Sequence, residues 1–136
     1  MGNPKAIDRA IAQEAQKQGL QPLPVRQGYS ACSVALVDEE SAITADQGMF
    51  QALRTKGFAV LLIRPGHIVL PGYDTGFIGG CCGKLAPDKL AFAGALSSHP
   101  DGERMREFLH SRCVAPVELR EGPLVDVGGI LPLRER

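Results

Sequence analysis

Three kinds of side chain in this sequence can do nucleophilic or proton-transfer chemistry: thiols, imidazoles and carboxylates. The thiols are Cys32, Cys81, Cys82 and Cys113, and the imidazoles are His67, His99 and His110. Cys32, in GYSACS, follows a turn near Gly28 and opens a β-rich run, a setting in which a free cysteine also packs as a small hydrophobe. His99 lies in SSHPDG between a strand and a helix, two residues from Asp101; a helix cap beside a solvated carboxylate has the same pattern. His67 begins a strand after a turn, and His110 sits near a helix C-terminus, where the dipole favours a protonated ring and no catalytic role is assigned. Asp126 interrupts an apolar strand, LVDVGG. A buried carboxylate needs a partner or a role, so Asp126 either holds a cation or bonds backbone beside the two glycines. Asp74 in PGYDTG reads as a turn residue, and Asp46 as a charge favouring a helix N-terminus.

Other chemistries fail on spacing. GFIGGCCGK clusters Gly76, Gly79, Gly80 and Gly83, but a phosphate-binding P-loop needs a glycine where Ile78 stands and Ser or Thr where Leu85 stands. These glycines suit sharp turns and close strand approach instead. Cysteine and histidine spacings give no zinc signature, so neither a metal nor a cofactor is expected. There is no CxxC pair and no small secreted framework, and adjacent Cys81 and Cys82 point apart in an extended chain.

The elements that would position these residues follow from periodicity and caps. Asn3–Pro4 suits a helix start and Gly19 a stop, with Ile7, Ala10, Ile11 and Ala15 on one face, so a helix is expected over residues 4–18. Two prolines then allow at most a short edge strand. Residues 32–37 and 42–44 form a hairpin around DEES, and Thr44 with Gln47 makes a capping box for a helix carrying Ala45, Met49, Ala52 and Leu53 on one face and stopping at Gly57. FAVLLI, residues 58–63, is apolar without alternation, as in a strand covered on both faces. The second half repeats this order: a strand at 90–94, then a helix with Met105, Phe108 and Leu109 on one face, capped by Ser98 or His99 with Pro100 in its first turn. Ile63, Arg64, Gly66, Val69 and Gly72 return 56 residues later as Leu119, Arg120, Gly122, Val125 and Gly128. The earlier strands recur at about 49, which places an insertion around Ser97–Asp101. The fold class is therefore α/β, built of repeated strand-strand-helix-strand (ββαβ) units.

Length and composition agree. A chain of 136 residues, 44% apolar and 22% charged, suits one globular domain, 1–136. Its subdivisions are 1–26 as part of a unit, then 27–75 and 76–136 as whole units. Fifteen basic and fifteen acidic side chains cancel, which disfavours nucleic acid and anionic membranes as partners. The N-terminus lacks an apolar signal core and no run approaches the ~18 apolar residues of a membrane span, so a cytoplasmic protein with reduced thiols is expected.

QGYSACS, AITADQGM, VLPGYDTGFIGG and LVDVGGILPL, in this order, resemble the C-terminal part of a bacterial family of unknown function assigned to the guanidino-group-modifying-enzyme, or pentein, fold. That fold resembles a propeller of five ββαβ units around a central site; the resemblance runs over roughly residues 27–133, and the whole chain would hold about two and a half of the units, the half lying in its first 26 residues. It implies a chemistry: a cysteine attacks a guanidinium carbon, a histidine acts as acid and base, and carboxylates hold the planar cation. On this resemblance Cys32 is the candidate nucleophile, His99 the acid/base and Asp126 the cation-holding carboxylate, with Asp74 and Asp101 as further ligand-binding candidates. Two readings stay open. One is a non-catalytic or incomplete pentein-like module that binds a small ligand or another chain; the other is a cysteine-dependent hydrolase or transferase acting on a guanidino or amide-like group. The absent units leave open edges, so a homo-oligomer, or a chain supplying the missing units, is expected.

Overall fold

The computed structural model describes residues 5, 7–21, 24 and 30–133. Helix α1, Arg9–Lys17, starts at Arg9 rather than at residue 4, because the Asp8 carboxylate accepts the Ala10 N–H at 2.8 Å and caps it there. The Asn3–Pro4 start, and most of the edge strand and the Gly28 turn expected beyond α1, lie outside the described residues. Gly19, at φ +69°, ends the helix as its position implied. None of the nine residues of α1 is buried.

The remaining described chain forms two three-stranded sheets with the same order of elements. In the first, a helical turn, α2 (Ser30–Ser33), leads into β1 (Val34–Asp38), β2 (Ser41–Thr44), α3 (Gln47–Thr55) and β3 (Ala59–Leu62). β1 and β2 are antiparallel, whereas β3 returns through α3 to lie parallel to β2. In the second, a 3₁₀ turn (Gly79–Cys81) leads into β4 (Cys82–Ala86), β5 (Lys89–Phe92), a 3₁₀ turn (Leu96–Ser98), α4 (Gly102–Ser111) and β6 (Ala115–Glu118). Its pairing is again antiparallel and then parallel. Val34–Thr44 in the first sheet corresponds to Cys82–Phe92 in the second, so the hairpins recur at 48 residues, not 49, down to the same register shift near their turns. From the crossover helix onward the interval is 56: Gly57 at φ +87° and Cys113 at φ +55° both turn the chain out of a helix, and Phe58 and Val114 both donate back to a leucine carbonyl, Leu53 or Leu109. The eight-residue difference lies in residues 93–100, which hold the 3₁₀ turn Leu96–Ser98 and stand where Ala45 alone stands in the first half, and in the one extra residue of α4.

Five local expectations are corrected. The strand at 32–37 begins at Val34, because Thr44 Oγ1 donates to the Ser33 carbonyl at 2.7 Å and holds Ser30–Ser33 as a turn; Cys32 therefore sits in that turn. With Thr44 so used, Asp46 caps α3, accepting the Met49 N–H at 2.7 Å. Neither Ser98 nor His99 caps α4, whose N-cap is Asp101. FAVLLI is not a fully covered strand. β2 holds the central place and is buried throughout, while β3 is an edge strand; Val60 packs on the α3 cluster and Leu61 on the main core, but no residue of Ala59–Leu62 is fully buried. After it, no strand begins at His67, and only Val69 pairs, in a parallel bridge to Val125.

The main core runs through both sheets. Val37, Ile43, Ile63 and Ile68 from the first half join Leu90, Phe92, Leu96, Met105, Leu109 and Leu124 from the second. A smaller cluster, Val34, Ala42, Met49 and Leu53, seats α3 on its sheet.

Candidate functional site

Where the two halves meet, the turn after β3 docks on the loop before α4. Asp101, 1% exposed, accepts the backbone N–H of Arg64 at 2.7 Å through Oδ2. Through Oδ1 it pairs with the guanidinium of Arg104 at 2.9 Å and with that of Arg64 at 3.4 Å. The Arg64 N–H is the main reason its carboxyl falls to a pKa of about 2, with the two arginines adding to it against the cost of burial. Asp101 is thus not the solvated carboxylate of the sequence reading, and its use here explains why its side chain leaves α4 uncapped. His99, 4% exposed, accepts the Asp101 N–H at 3.0 Å through Nδ1. That bond fixes the neutral tautomer with hydrogen on Nε2, and Nε2 is buried without a hydrogen-bond partner. Burial pushes the His99 pKa down, opposed by the Asp101 charge and reinforced by His67. The His67 ring, on a backbone with φ +64°, meets His99 edge to face at 5.5 Å between centroids.

Asp126 lies elsewhere, on the segment after β6. Oδ2 accepts the Phe77 N–H and Oδ1 the Gly128 N–H, each at 2.9 Å. The carboxylate rests against Gly76 and Gly80, and a Cβ on Gly80 would overlap it. The Cys81 thiol beside it donates to the Ile78 carbonyl at 3.2 Å. Burial first, and then the Asp126 charge, push its pKa up to about 12, and burial also raises that of Cys82. These two thiols stay protonated at neutral pH and are poor nucleophiles.

Cys32 is half-buried in α2, whose Ala31 and Cys32 carbonyls, with that of Val34, press on Gly79, closely enough that a Cβ there would lie 2.7 Å from the Cys32 oxygen. Among the described residues no hydrogen bond or ion pair joins Cys32, His99 and Asp126 to one another. The sequence candidates that do meet are His99 and Asp101. Asp74 is exposed in the turn after Leu70. The 48- and 56-residue repeat sets Cys32 opposite Gly80 and Asp126 opposite Leu70, so the half that carries the thiol has a leucine where the other half has the carboxylate. Sequence reasoning missed Arg64, Arg104 and His67 as partners of the Asp101–His99 pair; the recurrence of Arg64 as Arg120 was the available signal for the first. No group of three or more His, Cys, Asp or Glu among the described residues could hold a metal ion, and no helix among them is long and apolar enough to cross a membrane.

Comparison with known proteins adds one finding. The model of a family of unknown function, DUF6873, matches residues 1–131. Neither the curated proteins nor the solved structures contain a match.

Proposed function

The chain therefore belongs to the DUF6873 family, and from that premise we propose that it is a non-catalytic, pentein-like module that binds another chain. The observation that carries this reading is the use of Asp126: both carboxylate oxygens accept backbone N–H groups of this chain, in a space that only glycines leave open. A guanidinium held bidentately would have to enter that filled space and share both oxygens with the Phe77 and Gly128 donors. Asp101 is likewise engaged by Arg64 and Arg104. The like order of elements in the two sheets supports the pentein-like part of the reading. The proposed setting is the bacterial cytoplasm, where thiols such as Cys32 and Cys113 stay reduced.

The competing reading, a cysteine-dependent hydrolase or transferase acting on a guanidino or amide-like group, demands an activated Cys32. Iodoacetamide labelling of the folded protein, followed by peptide mass analysis, separates the two. A module labels Cys32 no faster than the exposed Cys113 below pH 7. Selective, rapid labelling of Cys32 in that range would overturn the non-catalytic reading, since a thiolate present at low pH is the mark of an active cysteine.

A further inference from the structure

The turn after β3 packs on the His99 ring as a short strap. Ile63 and Ile68, 3% and 5% exposed, fix its two ends in the main core, while Arg64, Pro65 and His67 between them are exposed. Gly66 is at φ +88° and His67 at φ +64°. The corresponding pair in the second half is Gly122, at φ +86°, and Pro123, whose ring keeps its φ negative. A side chain in the left-handed region is uncommon and is held there by its surroundings. Two contacts hold this strap: the Arg64 N–H and guanidinium on Asp101, and the His67 ring on the His99 ring. Beneath it His99 is buried, with Nε2 lacking a hydrogen-bond partner.

The geometry points to a proton-operated latch: a proton taken up by His99 undocks the Arg64–His67 strap from the loop before α4 and uncovers the His99–Asp101 pair, while the core beneath stays folded. The docked ring has no place for that proton. Nδ1 already accepts the Asp101 N–H at 3.0 Å, and a hydrogen on Nδ1 would set two donors against each other. Among the described residues the groups that face the ring are His67 and Arg64 from the strap, Asp101 from its own loop and, through Asp101, Arg104 from α4. Three of these four carry positive charge or gain it with a proton, and the carboxylate is already shared by both arginines. Burial first, with His67 and the Arg64 charge adding to it, keeps the pKa of the docked ring below 6.5 against the Asp101 charge and the nearby Arg64 backbone. A ring freed of the strap and open to water titrates at its ordinary value, so acid favours the undocked state between the two values. The Asp101 carboxyl, lowered to about 2, stays ionised through that interval and is not the sensor. Release also lets the His67 backbone leave the left-handed region. The latch goes beyond the reading of the chain as a binding module, since neither Cys32 nor a partner chain enters it.

Native-state hydrogen exchange of the full chain, read amide by amide by NMR from about pH 7.5 to pH 5 and corrected for the intrinsic rate, tests this. The Arg64 amide, whose acceptor is Asp101, is expected to be less protected than the amides of β2 at every pH. Its protection is expected to fall by about tenfold per pH unit below 6.5, until the docked ring itself titrates. His99→Asn is expected to flatten that dependence, and His67→Asn, which tolerates the left-handed backbone, to keep it. An Arg64 amide as protected as those of β2, or one whose protection does not change across this interval, would overturn the latch. So would a dependence lost in His67→Asn and kept in His99→Asn, which would make His67 the sensor. Should His99→Asn fail to fold, the NMR titration of the wild type carries the test: the Arg64 amide signal is expected to move with the His99 ring signal, and an amide that follows the His67 ring, or neither ring, overturns the proposal.

Discussion

Gly80 has no Cβ, and the space that leaves is filled by the Asp126 carboxylate. Two substitutions probe this fit from opposite sides. Gly80→Ala inserts a methyl into occupied space and is expected to cost about 1–3 kcal/mol, the range for overpacking. Asp126→Ala leaves the Phe77 and Gly128 N–H groups without their acceptor, at about 1–3 kcal/mol for each that stays buried. The double variant should cost less than the sum, because removing the carboxylate makes room for the new methyl. Urea midpoints of the four proteins check this, and strict additivity would show that the two side chains do not compete for one space. Asp126 was visible in the sequence as a carboxylate inside an apolar run, which is a local signal. Its acceptor role was one of two open alternatives, and only the return of residues 76–80 to the same place selects it. The Arg64 partner of Asp101 was less legible still, since it lies 37 residues away and no local pattern records that approach.

Among the elements, the apolar runs located every strand of the first sheet to within a few residues but misassigned which one is central. A run without alternation signals burial on both faces, and FAVLLI has that pattern more strongly than SAIT. The hairpin decides otherwise. β2 is joined to β1 by a tight turn and to β3 by a crossover helix, so it is enclosed on both sides whatever its composition. Ile43→Ala in β2 is accordingly expected to cost about 2–5 kcal/mol, as for a fully buried aliphatic side chain, and Leu62→Ala in the half-buried β3 clearly less. Chemical denaturation of both variants checks the order, and a reversal would mean that β3 is covered in solution. The second hairpin was half legible. LAFAG marked β5, but β4 begins among the glycines of GGCCGK, where Gly83 admits the Ile130 carbonyl. There the close approach of another backbone outweighs the weak strand preference of glycine.

Across the whole molecule, the shared core and the junction between Arg64 and Asp101 join the two sheets, and the junction is titratable. Neutral His99 accepts the Asp101 N–H, and a protonated ring would place a second hydrogen against that donor. Among the described residues the groups around it are His67, Arg64 and Arg104, all able to carry positive charge, and the Asp101 carboxylate. The folded pKa of His99 lies below its ordinary 6.5, so the unfolded chain binds more protons there between the two values. Its contribution to stability is whole above pH 6.5 and is lost as the pH falls through the folded value. Asp101, lowered from 3.8 to about 2, acts in the same sense further down, its contribution intact above 3.8 and lost on the way to pH 2. Stability should therefore fall in two stages on acidification, with a single unfolding transition retained at least through the first. His99→Asn, which keeps an acceptor near the Asp101 N–H but does not titrate, is expected to remove the first stage and leave the second. Urea midpoints measured from pH 8 to pH 2 read both; a wild-type midpoint that stays level between pH 7 and pH 5, or a His99→Asn protein that declines there as wild type does, would show that the junction does not respond through His99.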